Sequence, residues 1–157
     1  MTILLTTPIT GGAQTGFTSP TYTIVLDRAP DASTGIQHAV TALGGTQVGV
    51  RTHTPSDPFT VTFEKPRAFQ TLNGLQSGLT GLYGKVGENV YKARVRKGGN
   101  IAANNLPRLM TCEAIVRIPA GAESYDAANV RAMISALVGA LNQVSAGMGD
   151  TYVTGVL

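Results

Sequence analysis

The side chains of this chain that could do chemistry are two histidines, one cysteine, nine acids and twelve basic residues in 157. His38 and His53 have neither the HExxH spacing nor a paired neighbour that would hold a metal. No G-x-S-x-G nucleophile elbow occurs. Gly84-Lys85 resembles the end of a phosphate-binding loop. Leu79, however, stands where that loop needs its first glycine, and Val86 where Ser or Thr would bind magnesium. Cys112 has no partner for an internal disulfide and lies in an alternating apolar run, so it is expected as a small buried hydrophobe. The acids are scattered, with no pair that the pattern brings together. The expectation is no catalytic residue, no metal site, no cofactor and no enzyme.

The basic residues are distributed less evenly. Residues 89–97 read N-V-Y-K-A-R-V-R-K. Successive side chains of a strand leave opposite faces. Tyr91, Ala93 and Val95 then share one side, and Lys92, Arg94 and Arg96 the other. Like charges in a row repel, and a polyanion would compensate them. The other reading is a wet face whose acids come from the neighbouring strand. The row itself leaves both open.

Alternation marks further strands around this one. In residues 21–27, Tyr22, Ile24 and Leu26 oppose Thr21, Thr23 and Val25. With residues 2–7, which Pro8 ends, they suggest an N-terminal hairpin. Residues 36–43 fit either a strand or a helical turn or two; with residues 46–54 on the other side of Gly44-Gly45 they read as the first strand of a second hairpin. In residues 59–64, Phe59, Val61 and Phe63 alternate with Thr60, Thr62 and Glu64. Residues 98–105 form a small, uncharged loop. Residues 106–118 make the next strand, with Met110, Cys112, Ala114, Val116 and Ile118 opposite Thr111, Glu113, Ile115 and Arg117. Residues 66–87, rich in glycine and leucine, are expected as a long loop that packs its leucines down, with room for one short strand.

One helix is expected, capped by Ser124 or Asp126 and ending near Gly147. Val130, Met133, Ile134, Leu137, Leu141 and Val144 recur at three- and four-residue spacing and make a broad apolar face. Residues 150–157 form an apolar tail, with room for one last helical turn, that should dock at a subunit contact.

These elements give an α+β chain of one domain. It divides into a hairpin over 1–27, an antiparallel meander sheet over 35–118 and C-terminal helices and tail over 124–157. Nineteen glycines and eight prolines fit a turn-rich β fold. Only 13% of residues are charged, about half the usual share, as if other copies covered much of the surface. One helix cannot cover six or seven strands, so its apolar stripe and the bare sheet face point to burial against another subunit. No apolar run approaches the ~20 residues of a membrane span and no basic segment precedes a signal-like stretch, so a soluble, cytosol-made chain is expected.

The order and spacing of these elements resemble the coat proteins of single-stranded RNA bacteriophages, the leviviruses. The resemblance spans nearly the whole chain and is most specific over 89–157. A basic-faced strand runs into a flexible loop, a second strand ends at Ile118-Pro119, and a short acidic connector (120–126) enters the main helix. The I-P-A-G-A-E-S-Y-D-A-A-N-V-R-A-M-I run and the L-N-Q-V-S-A-G-M-G-D ending carry it.

The resemblance implies an intertwined homodimer with one continuous sheet, assembling in the bacterial cytoplasm into an icosahedral virion shell around single-stranded RNA. It implies RNA contacts from Lys92, Arg94, Arg96, Thr111, Glu113 and Arg117, and from Arg51, Thr60 and Thr62 where strand phase puts them on that face with Gln47 and His53. Gly98, Gly99, Asn100, Asn104 and Asn105 would form the loop that changes shape between quasi-equivalent positions. Val130, Met133, Ile134, Leu137 and Leu141 would meet the partner. The inner face can bind an RNA hairpin and repress replicase translation in that family. The alternative is a dimeric β-sheet nucleic-acid-binding protein that forms no shell.

Overall fold

A computed structural model describes residues 3–72 and 77–157. Six strands follow one another in chain order and pair antiparallel: β1 (Ile9–Thr10), β2 (Thr18–Asp27), β3 (Gly35–Thr46), β4 (Phe59–Glu64), β5 (Glu88–Gly99) and β6 (Arg108–Pro119). Three helices follow: α1 (Ala122–Tyr125), α2 (Ala127–Gln143) and α3 (Ser145–Thr154). The meander and the C-terminal helices are as the sequence suggests. The N-terminal hairpin exists with a different first strand: Ile9 and Thr10 pair with Tyr22 and Thr21. Of the described residues before Pro8, Thr7 accepts from the Ile24 N–H at 3.2 Å through its hydroxyl, and Ile3 lies beside Ile36, Phe63 and Tyr91. Thr2, the first residue of the expected strand, lies outside the described residues.

The second expected hairpin does not form. β3 runs through Gly44-Gly45, and residues 47–58 are a connection without strand. The glycines serve close approach rather than a turn. A Cβ on Gly44 would collide with the Thr21 hydroxyl, and Gly45 has φ 70° beside the Ser19 and Thr18 carbonyls. The β2–β3 register shifts at this point, so the pair marks a bulge.

The run expected as one helix to Gly147 is divided, with a short helix before it and a break within it. Gly121, with φ 95°, precedes α1. Asp126 stands at the N-terminal cap position of α2, but its carboxylate accepts from the Asn129 side chain at 2.8 and 2.9 Å rather than from a backbone N–H. A 64° bend at Val144 separates α2 from α3, so Gly147 lies inside a helix instead of ending one.

Very little of this is a core. The buried apolar side chains among the described residues are Ile24, Ala29, Ala39, Val40, Ile118 and Ala120. The chain exposes 11084 Å² for 16.3 kDa, where a compact chain of that mass exposes about 7,500 Å². α2 and α3 bury no residue. α2 is held at its ends: α1 joins it to β6, and beyond Val144 the Gln14 amide donates to the Ser145 carbonyl at 2.8 Å. At its start Val130 and Met133 share a groove with Arg117, Ile118 and Pro119 of β6; farther along, Leu137, Val138, Leu141 and Val144 are exposed. Cys112 is exposed, because β6 is the outer strand and nothing covers that side of it.

Candidate nucleic-acid interface and assembly surfaces

Antiparallel register puts the predicted basic row where the alternation said. Arg96 lies opposite Thr60 on β4 and Thr111 on β6; Arg94 lies between Thr62 and Glu113; Lys92 lies between Glu64 and Ile115; Arg117 is opposite Val90. β3 adds a residue that the sequence reading missed. Gln37 pairs with Thr62 and with Asp27, on the same face. Its alternation with Ile36 and His38 was the available signal, hidden because residues 36–43 read equally as a helical turn. This polar face carries no aromatic residue from the five longer strands, which leave Tyr22, Phe59, Phe63 and Tyr91 on the other side.

The row is not left uncompensated. Arg94 donates to Glu113 at 2.6 Å and lies 3.5 Å from Glu64. Arg96 donates to the Thr60 hydroxyl at 3.1 Å and to Gln37 Oε1 at 2.6 Å. The Thr62 hydroxyl donates to the same Oε1 at 3.0 Å, and the Gln37 amide donates to Asp27 at 2.6 Å. That bond, followed by the Arg28 N–H, holds the Asp27 carboxyl below its ordinary pKa. Thr60, Thr62 and Gln37 are buried beneath these side chains. Arg117 reaches Glu88 at 3.4 Å. Lys92, Arg94, Arg96 and Arg117 thus share their face with Asp27, Glu64, Glu88 and Glu113. Lys92 has no ion pair or hydrogen bond with the described residues, and Arg96 is held by neutral groups.

Arg51, His53 and Gln47 do not join this face, because residues 47–58 are not a strand. The Arg51 guanidinium pairs with Asp57 and reaches the Gly98 carbonyl at 3.4 Å and Asn100 at 3.3 Å. Asp57 also takes Lys97 Nζ at 3.0 Å. Alternation puts Lys97 on the apolar side, where it stands 5.3 Å from the Phe59 ring centre, within cation–π range. Burial pushes the Asp57 carboxyl up, but the bonds from Arg51 and Lys97 outweigh it and hold it below its ordinary value. His53 Nδ1 accepts from the Phe59 N–H, and the Gln47 amide donates to the Thr21 and Gly44 carbonyls. The Asp57 cluster therefore fastens residues 47–58 to the end of β5. A Cβ on Gly98 would collide with the Asp57 carboxylate.

Gly98 and Gly99 belong to β5 rather than to the loop, while Asn100, Asn104 and Asn105 are exposed in the connection to β6. The apolar stripe of α2 is open: Met133 is 47%, Leu137 38% and Leu141 40% exposed, with Val130 and Ile134 half-buried. The apolar sheet face is also open at Leu26, Ile36, Val95 and Met110. Residues 66–87 form no strand of their own among those described, and their leucines do not pack down: Leu79 is 97% and Leu82 70% exposed. Leu75 lies outside the described residues. Among the described residues no single helix is long and apolar enough to cross a membrane.

An antiparallel six-stranded sheet followed by C-terminal helices, with its apolar face and main helix uncovered, leaves a broad apolar surface for another chain. Among solved structures the chain is similar to the virus-like particle of bacteriophage ESE020, at 51% identity and TM-score 0.95 over 99% of this chain and 100% of that one. By that likeness the chain belongs to the coat proteins of the single-stranded RNA bacteriophages, the leviviruses. It is a non-enzymatic capsid protein of the virion.

The virus-like particle of Beihai levi-like virus 32 aligns at 13% identity and TM-score 0.47 over 92% of this chain and 90% of that one. The particle of Wenzhou levi-like virus 4 aligns at 18% and 0.40 over 80% and 71%. No family model and no curated protein matches the chain.

Proposed function

We propose that the chain, as one domain over 1–157, forms an intertwined homodimer that assembles into an icosahedral shell around single-stranded RNA. The observation that carries this is the full-length match, at half identity, to a chain solved as a virus-like particle. The chain's own surface supports the dimer. Met133, Leu137 and Leu141 of the open α2 stripe are 38–47% exposed, so covering each would contribute about 1 kcal/mol, and the apolar sheet face offers the complementary area. The free edge of β6 can accept the same edge of a partner, making one sheet of two. Met133, Leu137 and Leu141, with Val130 and Ile134, are the residues that would lie across that partner.

The polar face would meet RNA. Lys92, with no partner among the described residues, and Arg96, held there by neutral groups, supply the charge. Arg94 and Arg117 can exchange carboxylates for phosphates, and Thr60, Thr62, Thr111 and Glu113 form the floor between them. Arg51 is tied to Asp57 away from that face, so we assign it to the loop base. A face without aromatics, whose threonine hydroxyls at 60 and 62 already bond to Arg96 and Gln37, favours phosphate contact over base reading. Repression through one hairpin would appear as binding to a single stem-loop that survives excess bulk RNA. Asn100, Asn104 and Asn105, on a connection anchored by the Asp57 cluster, would surround the symmetry axes.

The test is expression of the chain, followed by electron microscopy, size-exclusion and nuclease treatment. The expected result is closed particles holding nuclease-protected RNA. Elution only as a small dimer overturns the shell and leaves the nucleic-acid-binding dimer.

A further inference from the structure

One further apolar surface begins at the foot of α2, where Ala122 and Asp126 adjoin Val130 and Met133, and runs away from the stripe and the bare sheet face. Leu72, Tyr83 and Val86 line a groove with residues 119–126, where Tyr125 is 96% exposed. Leu79 and Leu82 stand on the adjoining turn. The turn is built, not loose: the Ser77 N–H donates to the Leu82 carbonyl at 2.9 Å, and the Gly81 N–H to the Ser77 carbonyl at 2.7 Å. The segment is also moored. Buried Asn89 exchanges two bonds with the Gln70 backbone, at 2.8 and 3.0 Å, and the Ala120 N–H donates to the Gly87 carbonyl at 2.8 Å. A fixed backbone is presenting leucine and tyrosine to solvent.

Two arguments say what covers them. A dimer contact is two-fold and closes on itself, so dimers joined by it alone stop at two chains. A shell needs a second, heterologous contact. The area agrees: the chain's 11084 Å² exceeds the compact value by about 3,600 Å². Even an obligate dimer commonly buries only about 1,000–2,500 Å² per subunit. Roughly 1,000 Å² or more is therefore left over, about one further interface of ordinary size.

We propose that the surface of Leu72, Leu79, Leu82, Tyr83, Val86 and Tyr125 is the contact between neighbouring dimers, its occupant a second copy of this chain from another dimer. The proposal rests on the shell reading above. Its test is hydroxyl-radical footprinting of Tyr83 and Tyr125 in particles and in dimers released from them. Oxidation of Tyr125 should be at least several-fold lower in particles. Equal oxidation in both states overturns the proposal. So does protection already complete in free dimers, which would give the surface to the partner within the dimer. Leu79→Asp with Tyr125→Asp should give soluble dimers and at least a tenfold loss of particles. Particles at the unmodified yield overturn it, and if the double variant is insoluble the footprint of the unmodified protein decides. A lack of particles from the unmodified chain would instead remove the shell reading itself.

Discussion

The two sides of the sheet treat their interactions in opposite ways. On the polar side, nearly every group is satisfied within the chain. Arg94 lies between Glu113 and Glu64, Arg96 lies on Thr60 and Gln37, and Gln37 continues to Asp27. On the apolar side and along α2, area is left uncovered. The contrast follows from the physics of each contact. A half-buried polar group without a partner costs about 1–3 kcal/mol, so it must be satisfied before assembly. Apolar surface loses only an unrealised gain while exposed, so it can wait for another chain. Assembly is thus encoded by what the subunit leaves apolar, and the charged face is prearranged rather than vacant.

The largest break in that contrast comes from charging the waiting side. Leu137→Asp would put an unpaired carboxylate into the proposed dimer contact, at a cost of several kcal/mol. The expected outcome is loss of soluble dimer, read by size-exclusion and sedimentation. For the unmodified chain the unfolding temperature should rise with concentration, as it does when folding and association are one step.

Next in size is the one charged cluster on the apolar side. Asp57 is buried, with side-chain exposure of 8%, and serves Lys97 at 19% and Arg51 at 46%. Asp57→Ala leaves two cations facing each other. Loss of a wholly buried pair costs about 3–5 kcal/mol; with Arg51 half in water, about 2–3 is expected, measured by urea unfolding. Particles should also lose order at the loop from 100 to 107, since the Arg51 side chain that Asp57 holds donates to the Gly98 carbonyl and to Asn100.

Acid should produce a smaller and graded version of that loss. Asp57 and Asp27 both titrate below their ordinary value in the fold. A depressed folded pKa gives stability that is present above the unfolded value of about 3.9 and lost as pH falls through the folded one. The unfolding midpoint should be insensitive to these two groups from pH 7 to 5 and decline below about pH 4. Asp57→Asn should flatten part of that decline; an unchanged profile would show that the cluster does not report on acid stability.

What was legible in the sequence follows the same division. Period-two alternation located β4 to the residue and β5 and β6 within two residues, because a sheet with one apolar face enforces it. The row of Lys92, Arg94 and Arg96 was therefore visible, and so was the α2 stripe. Gly44-Gly45 misled because glycine serves a turn and a bulge equally, and only the Thr21 contact distinguishes them. Arg51 and His53 were placed by extending strand phase into a segment that is not a strand. The leucines of residues 66–87 misled for a deeper reason: hydrophobicity states that a side chain will be covered, not by which chain. Gln37 was missed because residues 36–43 also fit a helical turn; which acid would meet which cation was not legible because cross-strand partners depend on register, which single-strand periodicity does not contain.

The finest probe of the polar side is Lys92, the cation of that face with no partner among the described residues. Arg94→Glu or Arg96→Glu would disturb RNA contact and fold together, since Arg94 sits between two acids and Arg96 holds two buried threonine neighbours through Gln37 and Thr60. Lys92→Ala removes a charge and breaks no bond of the chain. Its effect on unfolding should stay within ~0.5 kcal/mol. If phosphates are what the face meets, binding of single-stranded RNA should weaken about equally for all sequences, and the slope of log affinity against log salt should fall by about 0.7 for that one contact. A weakening confined to one stem-loop would instead assign Lys92 to base recognition. No change in slope would mean that RNA meets the shell elsewhere than on this face.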